Sequence, residues 1–153
     1  FVDIDGLRGA VVGDDPTEPS EHPNTTTTLD HVVVASPDID RTVGAFDALG
    51  CEPRRERIGG TDARPLRQVF LRAGEVIVEV VGGLQRAAGR AGDAPATFWG
   101  LAFTVADLDA CVRSMGEHCG RARDAVQPGR RIATLRHDSL GISVPTAFMS
   151  ARL

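Results

Sequence analysis

No apolar run in this sequence approaches the roughly 18 residues that a membrane-spanning helix needs, and no signal peptide is visible. A cytoplasmic location with no membrane partner is therefore expected. The chain begins at Phe1 rather than Met, as a fragment or a processed chain would. A basic face is also missing. The formal net charge is −4, and the dense basic runs, Arg54–Arg57 and Arg130–Arg136, are interrupted by acidic or apolar residues. A nucleic-acid partner is therefore not expected. Cysteine is scarce: Cys51, Cys111 and Cys119 form an odd set without CxxC spacing, which fits free thiols in a reducing compartment. Ser139 and Ser143 lack a nucleophile elbow, and Gly82-Gly83 lacks the later glycines and lysine of a phosphate loop. Nothing in the chain supports a hydrolase or a nucleotide enzyme.

What is present is a core of ordinary size. The chain has 153 residues, 42% hydrophobic and 25% charged, enough for one core or two small pseudo-repeated ones. Residues 1–12 supply one or two short strands. Residues 13–28, with four successive threonines at 25–28, lack the apolar surface to offset their ordering entropy, so 1–28 reads as an arm or linker. A strand over His31–Ala35 carries Val32, Val33 and Val34. Ser36-Pro37-Asp38 then starts a helix with a capping side chain and early carboxylates. Ile39, Val43, Phe46 and Leu49 form its apolar face, and Gly50 ends it. Strands follow at 67–72 and 75–81 around the turn Ala73-Gly74, and a further strand near Cys51–Ile58 is too charged to assign firmly. This gives a first module over 29–82, and a connector over 83–97 rich in Gly, Ala and Arg.

The pattern returns in a second module over 98–153. Leu101–Val105 is a strand, and Asp107 opens a helix with Leu108, Val112, Met115 and Cys119 on its buried face and Gly120 at its end. Arg131–Leu135 and Ile142–Phe148 are closing strands, joined by a turn at Asp138–Gly141. Asp38-Ile39-Asp40 matches Asp107-Leu108-Asp109 with an offset of 69 residues (107 − 38). Val43 then falls on Val112 and Phe46 on Met115. A repeat of this length is a supersecondary unit whose sheet is too small to bury itself alone.

The strand with His near its start, the Ser-Pro-Asp-Ile-Asp-Arg helix opening and a strand ending Val-Glu-Val resemble the first module of the vicinal-oxygen-chelate superfamily, which includes glyoxalases, bleomycin-resistance proteins and extradiol dioxygenases. Trp99-Gly100-Leu101-Ala102-Phe103-Thr104-Val105 followed by Ala106-Asp107-Leu108-Asp109 resembles the opening of its second module. The resemblance covers roughly residues 29–150. It implies an α+β fold of two tandem βαβββ modules whose mixed sheet curls around a ligand cleft.

The resemblance also implies a divalent metal held by four side chains, two per module. His31 and Glu79 stand at the first-module positions, an imidazole and a carboxylate suited to such an ion. The offset places the other two at Gly100 and at Pro145, or Thr146 if the gap moves by one. Neither Gly nor Pro has a ligating side chain, so the metal site is expected to be incomplete and the cofactor stays open. Glu79, a carboxylate between valines, is costly to bury without a partner and is the expected catalytic or ligand-contacting residue. Arg67, Gln68 and Arg131 are candidate ligand contacts on strands, the arginines for a carboxylate, and Trp99 is either core, cleft wall or a stacking surface. The expected function is small-molecule binding, as in drug-sequestering members. The alternatives are a metal-dependent lyase, isomerase or dioxygenase, and a regulatory or oligomerisation module acting through residues 1–28. A homodimer is expected, and it would bring two His31 and two Glu79 into play.

Overall fold

The computed structural model describes residues 1–10, 13 and 21–151. Residues 14–20 of the stretch read as linker lie outside the described residues. The elements in chain order are β1 (Val2–Ile4), β2 (Leu7–Gly9), β3 (Thr26–Ala35), α1 (Ile39–Asp47), β4 (Glu52–Thr61), β5 (Arg64–Ala73), β6 (Val76–Gly83), β7 (Thr97–Val105), α2 (Leu108–Met115), β8 (Arg123–Asp124), β9 (Arg131–Thr134) and β10 (Thr146–Ser150). Short 3-10 turns lie at 89–91, 116–118 and 137–140. The order β3-α1-β4-β5-β6 followed by β7-α2-β8-β9-β10 is two βαβββ modules, an α+β fold. Most strand pairs are antiparallel, but β10 runs parallel to β7, so the sheet is mixed.

The chain divides into two compact units, one of residues 1–14 and 32–99, the other of residues 15–31 and 100–153. In the first unit β4, β5 and β6 are successive neighbours, with the end of β3 beside β6. Alternation along β5 and β6 sends Val69, Leu71, Val78 and Val80 to the face packed on Ile39 and Phe46 of α1. Leu71 and Val80 are fully buried, and truncating a leucine in such a place costs about 2–5 kcal/mol. Asp38 caps α1 by accepting from Arg41 N at 3.1 Å, and Ser36 Oγ accepts from Asp38 N at 3.0 Å. The buried face of this helix is Ile39, Thr42 and Phe46, whereas Leu49 is exposed. Thr42 takes the buried position because its hydroxyl is bonded to Ser36 Oγ at 2.6 Å and to Asp5.

Residues 1–9 are a hairpin that belongs to this unit rather than a loose arm. Leu7 is buried in the same core. Asp5 accepts from Arg41 Nε at 2.6 Å, and the same guanidinium donates to the carbonyls of Gly92 at 2.8 Å and Ala94 at 2.7 Å. Asp5 O also accepts from Ala96 N at 2.9 Å. At the tip, Gly6 adopts φ +86°, and a Cβ there would lie 2.3 Å from Pro95 Cβ, so no other residue fits without displacement.

In the second unit the start of β3 lies beside β7, followed by β10, β9 and β8. The core joins Val105, Ala133, Leu135 and Phe148 to Leu108 and Cys111 of α2. Asp107 caps this helix, accepting from Ala110 N at 2.8 Å. The helices start at Ile39 and Leu108, which repeats the offset of 69 residues (108 − 39).

Three expectations about elements are corrected. The threonine run enters β3 instead of a linker: Thr25 O accepts from Ala106 N at 2.9 Å, and Thr27 Oγ1 donates to Thr104 O at 3.1 Å. Threonine is polar but β-branched, and a strand neighbour supplies the ladder. The second helix ends at Met115 and not at Gly120, and Cys119 lies in a bridge to Leu135. The last strand begins at Thr146 because Pro145, which precedes it, has no N–H to donate.

Candidate functional site

Each module has a face turned from its own helix, and the polar chemistry of the first unit collects there. Ladder partners in an antiparallel pair project to the same side. The pairs Arg57↔Gln68, Phe70↔Glu79 and Arg55↔Phe70 therefore place Arg55, Arg57, Gln68, Phe70 and Glu79 on one face. It is the face opposite to Val69 and Leu71. Glu79 is only 9% exposed. Its Oε1 accepts from Gln68 Nε2, and Gln68 Oε1 accepts from Arg57 Nε at 2.6 Å. The row works because Gly59 stands beside it: a Cβ there would lie 2.6 Å from Gln68 Oε1. The amide of Gln68 thus links a buried carboxylate on one strand to a guanidinium two strands away.

The second unit contains the other charged cluster. Arg130, 4% exposed, donates from Nη2 to Asp30 Oδ2 at 2.8 Å, from Nε to Ser150 O at 2.8 Å, and from Nη1 to Gln127 Oε1 at 2.9 Å. Asp30 also accepts from Thr104 Oγ1 at 2.9 Å, and His31 Nδ1 lies 2.9 Å from Asp30 Oδ1. Burial pushes the Asp30 carboxyl up, but the hydrogen bonds from His31, Arg130 and Thr104 outweigh it and hold the group well below the usual carboxylate range. An ionised Asp30 accepts the hydrogen bond of Nδ1–H, which orients the imidazole.

Two of the arginines singled out from the sequence are committed elsewhere. Arg67 shares the parity of Val69 and Leu71, so it stands on the helix side. It donates from Nε to Glu56 at 2.9 Å and from Nη1 to Asp40 at 2.6 Å. Arg131 shares the parity of Ala133 and Leu135, and it binds Asp109 through two bonds of 2.9 and 3.1 Å. Asp40 and Asp109 are themselves repeat partners, 69 residues apart (109 − 40). Both arginines thus form the same strand-to-helix ion pair in each module, and the carboxylate expected from a ligand is supplied by the chain. Gln68, by contrast, lies directly on the polar face. Trp99 is 56% exposed at the start of β7 and Phe98 is similarly exposed, so neither is a core residue.

The strand registers also correct the position opposite to Glu79. In β5 and β6 Phe70 pairs Glu79, with Val69↔Val80 in the core; in β9 and β10 Thr134 pairs Ala147, with Ala133↔Phe148 in the core. Glu79 therefore corresponds to Ala147, not to Pro145 or Thr146. Alanine supplies no ligand either. Nor do the neighbours: Pro145 O accepts from Leu101 N at 2.9 Å, and Thr146 Oγ1 donates to Val144 O at 3.0 Å. Gly100 has no side chain. Among the described residues no three His, Cys, Asp or Glu side chains converge as a metal-binding group. The donors present do not fit the three or four protein ligands of a tightly bound divalent ion. Asp30, Arg130 and Arg57 were not singled out from the sequence. The one available signal was that Arg130-Arg131 and Asp30-His31 are adjacent pairs within strand patterns, where neighbouring residues go to opposite faces.

A duplicated βαβββ chain with a hydrogen-bonded polar row on the sheet face turned from the helix of its first module defines a class, and sequence comparison identifies it. Residues 30–134 match the Glyoxalase/Bleomycin resistance protein/Dioxygenase superfamily, and the chain belongs to that family. Among solved structures it is similar to the methylmalonyl-CoA epimerase of Mycobacterium tuberculosis, at 24% identity over 84% of this chain and 91% of the other, with a TM-score of 0.62. A variant of the Streptomyces coelicolor methylmalonyl-CoA epimerase in complex with 2-nitronate-propionyl-CoA is similar at 22% identity, 84% and 99% coverage and a TM-score of 0.61. A hypothetical protein of Bacillus halodurans follows at 16% identity, 82% and 94% coverage and a TM-score of 0.60. At these identities the likeness is one of fold. No curated protein sequence matches the chain.

Proposed function

We propose that this chain binds a small organic molecule on the face of the first module that carries Glu79, and that it does so with an incomplete version of its family's metal site. The observation that carries the reading is the Arg57–Gln68–Glu79 row on the face turned from α1. A sheet face that only had to be buried would be apolar, as the helix side is where Val69, Leu71, Val78 and Val80 pack on α1. Here three strands invest polar side chains in one hydrogen-bonded row, and Phe70 supplies apolar contact beside it. Such a mixture of one apolar surface and a few placed polar groups suits a small-molecule site. Glu79 would accept a hydrogen bond from the ligand, and Gln68 would hold its carboxylate in place.

A second reading, a lyase, isomerase or dioxygenase of the same family, is favoured by one observation. The Asp30 carboxylate behind His31 orients the imidazole in the manner used where Nε2 serves as base or ligand. The two readings separate on metal content. Elemental analysis of the purified chain and of Glu79→Ala is expected to show no stoichiometric metal in either, while small hydrophobic molecules raise the melting temperature of the former only. Stoichiometric metal that disappears with Glu79→Ala would overturn the binder reading in favour of the enzyme.

A further inference from the structure

Four arginines among the described residues are buried or half-buried: Arg41, Arg57, Arg67 and Arg130. Three of them are neutralised by a carboxylate, Arg41 by Asp5, Arg67 by Asp40 and Glu56, and Arg130 by Asp30. Arg57 is the exception. Its Nε is bonded to the neutral Gln68 amide, and no carboxylate among the described residues pairs with its guanidinium. Withdrawing a guanidinium from water without a counter-charge is costly, and this chain meets that cost everywhere else.

The reason lies in Gln68. Its amide faces two ways, donating to Glu79 and accepting from Arg57. The amide is interposed between acid and base, where a shorter or apolar side chain would let them meet as an ion pair. Arg55 stands two residues from Arg57 on the same face, opposite Phe70, and it too has no ion pair among the described residues. The edge of this face therefore carries two uncompensated guanidinium groups, in a protein whose formal net charge is −4. Glu79 stands two strands away, at roughly 10 Å by the spacing of sheet strands.

We infer that Arg57, assisted by Arg55, is an anion subsite, and that the ligand is a small organic acid whose carboxylate lies on these guanidinium groups while its apolar body covers Phe70. This rests on the proposal that the Glu79 face is the binding face, and it adds the chemical class. A planar guanidinium takes a carboxylate through two parallel bonds.

The test compares benzoate with benzamide, equal in shape and different in charge, by following amide shifts of the full chain during titration. Benzoate is expected to bind about tenfold more tightly than benzamide, with shifts on β4 to β6. That preference should vanish in Arg57→Met and persist in Arg67→Met, whose guanidinium is on the other face. Arg57→Lys, which keeps the charge but not the fork, should retain part of it, and it replaces the methionine variant if that one fails to fold. Equal binding of both probes to this face would overturn the anion subsite and leave the binding face standing. A preference that survives Arg57→Met would overturn it too. If neither probe shifts residues of β4 to β6, the subsite and the binding face fall together.

Discussion

Replacing Arg130 by methionine removes one half of a buried ion pair and leaves the other. Arg130 gives four hydrogen bonds, to Asp30, Ser150 O, Gln127 and Thr104, and its side chain is 3% exposed against 10% for Asp30. Breaking one side of such a pair typically costs about 3–5 kcal/mol, because the remaining charge is left without its counter-ion. Asp30 would keep His31 and Thr104 as donors, which places the expected loss at the lower end, about 3 kcal/mol. For a chain of this size that is about 6–12 °C in melting temperature. Removing both charges, as Asp30→Leu with Arg130→Met, should recover most of the loss, since desolvation of the pair offsets much of its attraction. The assay is urea denaturation of the two single variants, the double variant and the parent. The pH dependence adds an independent check. Because the folded Asp30 carboxyl lies below its ordinary value, its contribution is complete above about pH 4 and is lost as pH falls toward the folded value. The gap between the parent and Asp30→Asn should therefore be level from neutral pH down to about 5 and narrow below about 4. A double variant as unstable as the sum of the two single losses, with a gap that does not narrow in acid, would refute the pairing as the source of stability.

Gly6→Ala must place a Cβ against Pro95 at a φ of +86°; a loss of about 2–3 kcal/mol is expected in the same denaturation assay, and a loss below about 0.5 kcal/mol would show the hairpin to be undocked. Cys111 is fully buried, and burial, with Cys119 nearby, pushes its thiol up to about 11, while burial also raises Cys119. With a thiol-specific reagent near pH 8, the partly exposed Cys51 should react first and the other two only at the rate of local opening. Three thiols of equal speed would contradict that order.

The helix starts were legible because capping is a local device. Asp38 and Asp107 announce themselves with a carboxylate and a following apolar face, and both structural starts obey the repeat offset. Strand β4 was only half legible: a strand near Cys51–Ile58 was in view, but the charges from Glu52 to Arg57 kept it from firm assignment. A strand at the border of a sheet tolerates charge well, and charge there discourages pairing with other chains. Glu79 was recognisable as a carboxylate among valines, but its partner row was not, because Arg57 and Gln68 become neighbours only through the register of β4 on β5. Counting residues misplaced its repeat equivalent by two positions, to Pro145. Counting rungs of the two ladders places it at Ala147, because the turn before β10 differs in length from the turn before β6.

The docked hairpin has a consequence for how this protein can be divided. The family match begins at residue 30 and ends at 134. A piece cut to those limits would lose Leu7 and the Asp5 clasp on Arg41, and it would also lose β10, whose Phe148 and Met149 are buried and which is paired on both sides. Two edges of backbone amide would then be opened to solvent and to each other's copies. The segment matched by the family is thus smaller than the hydrogen-bonded and packed unit that contains it. Trimming for crystallisation or for fusion should follow the hydrogen bonds and keep residues 1–10 and 146–150.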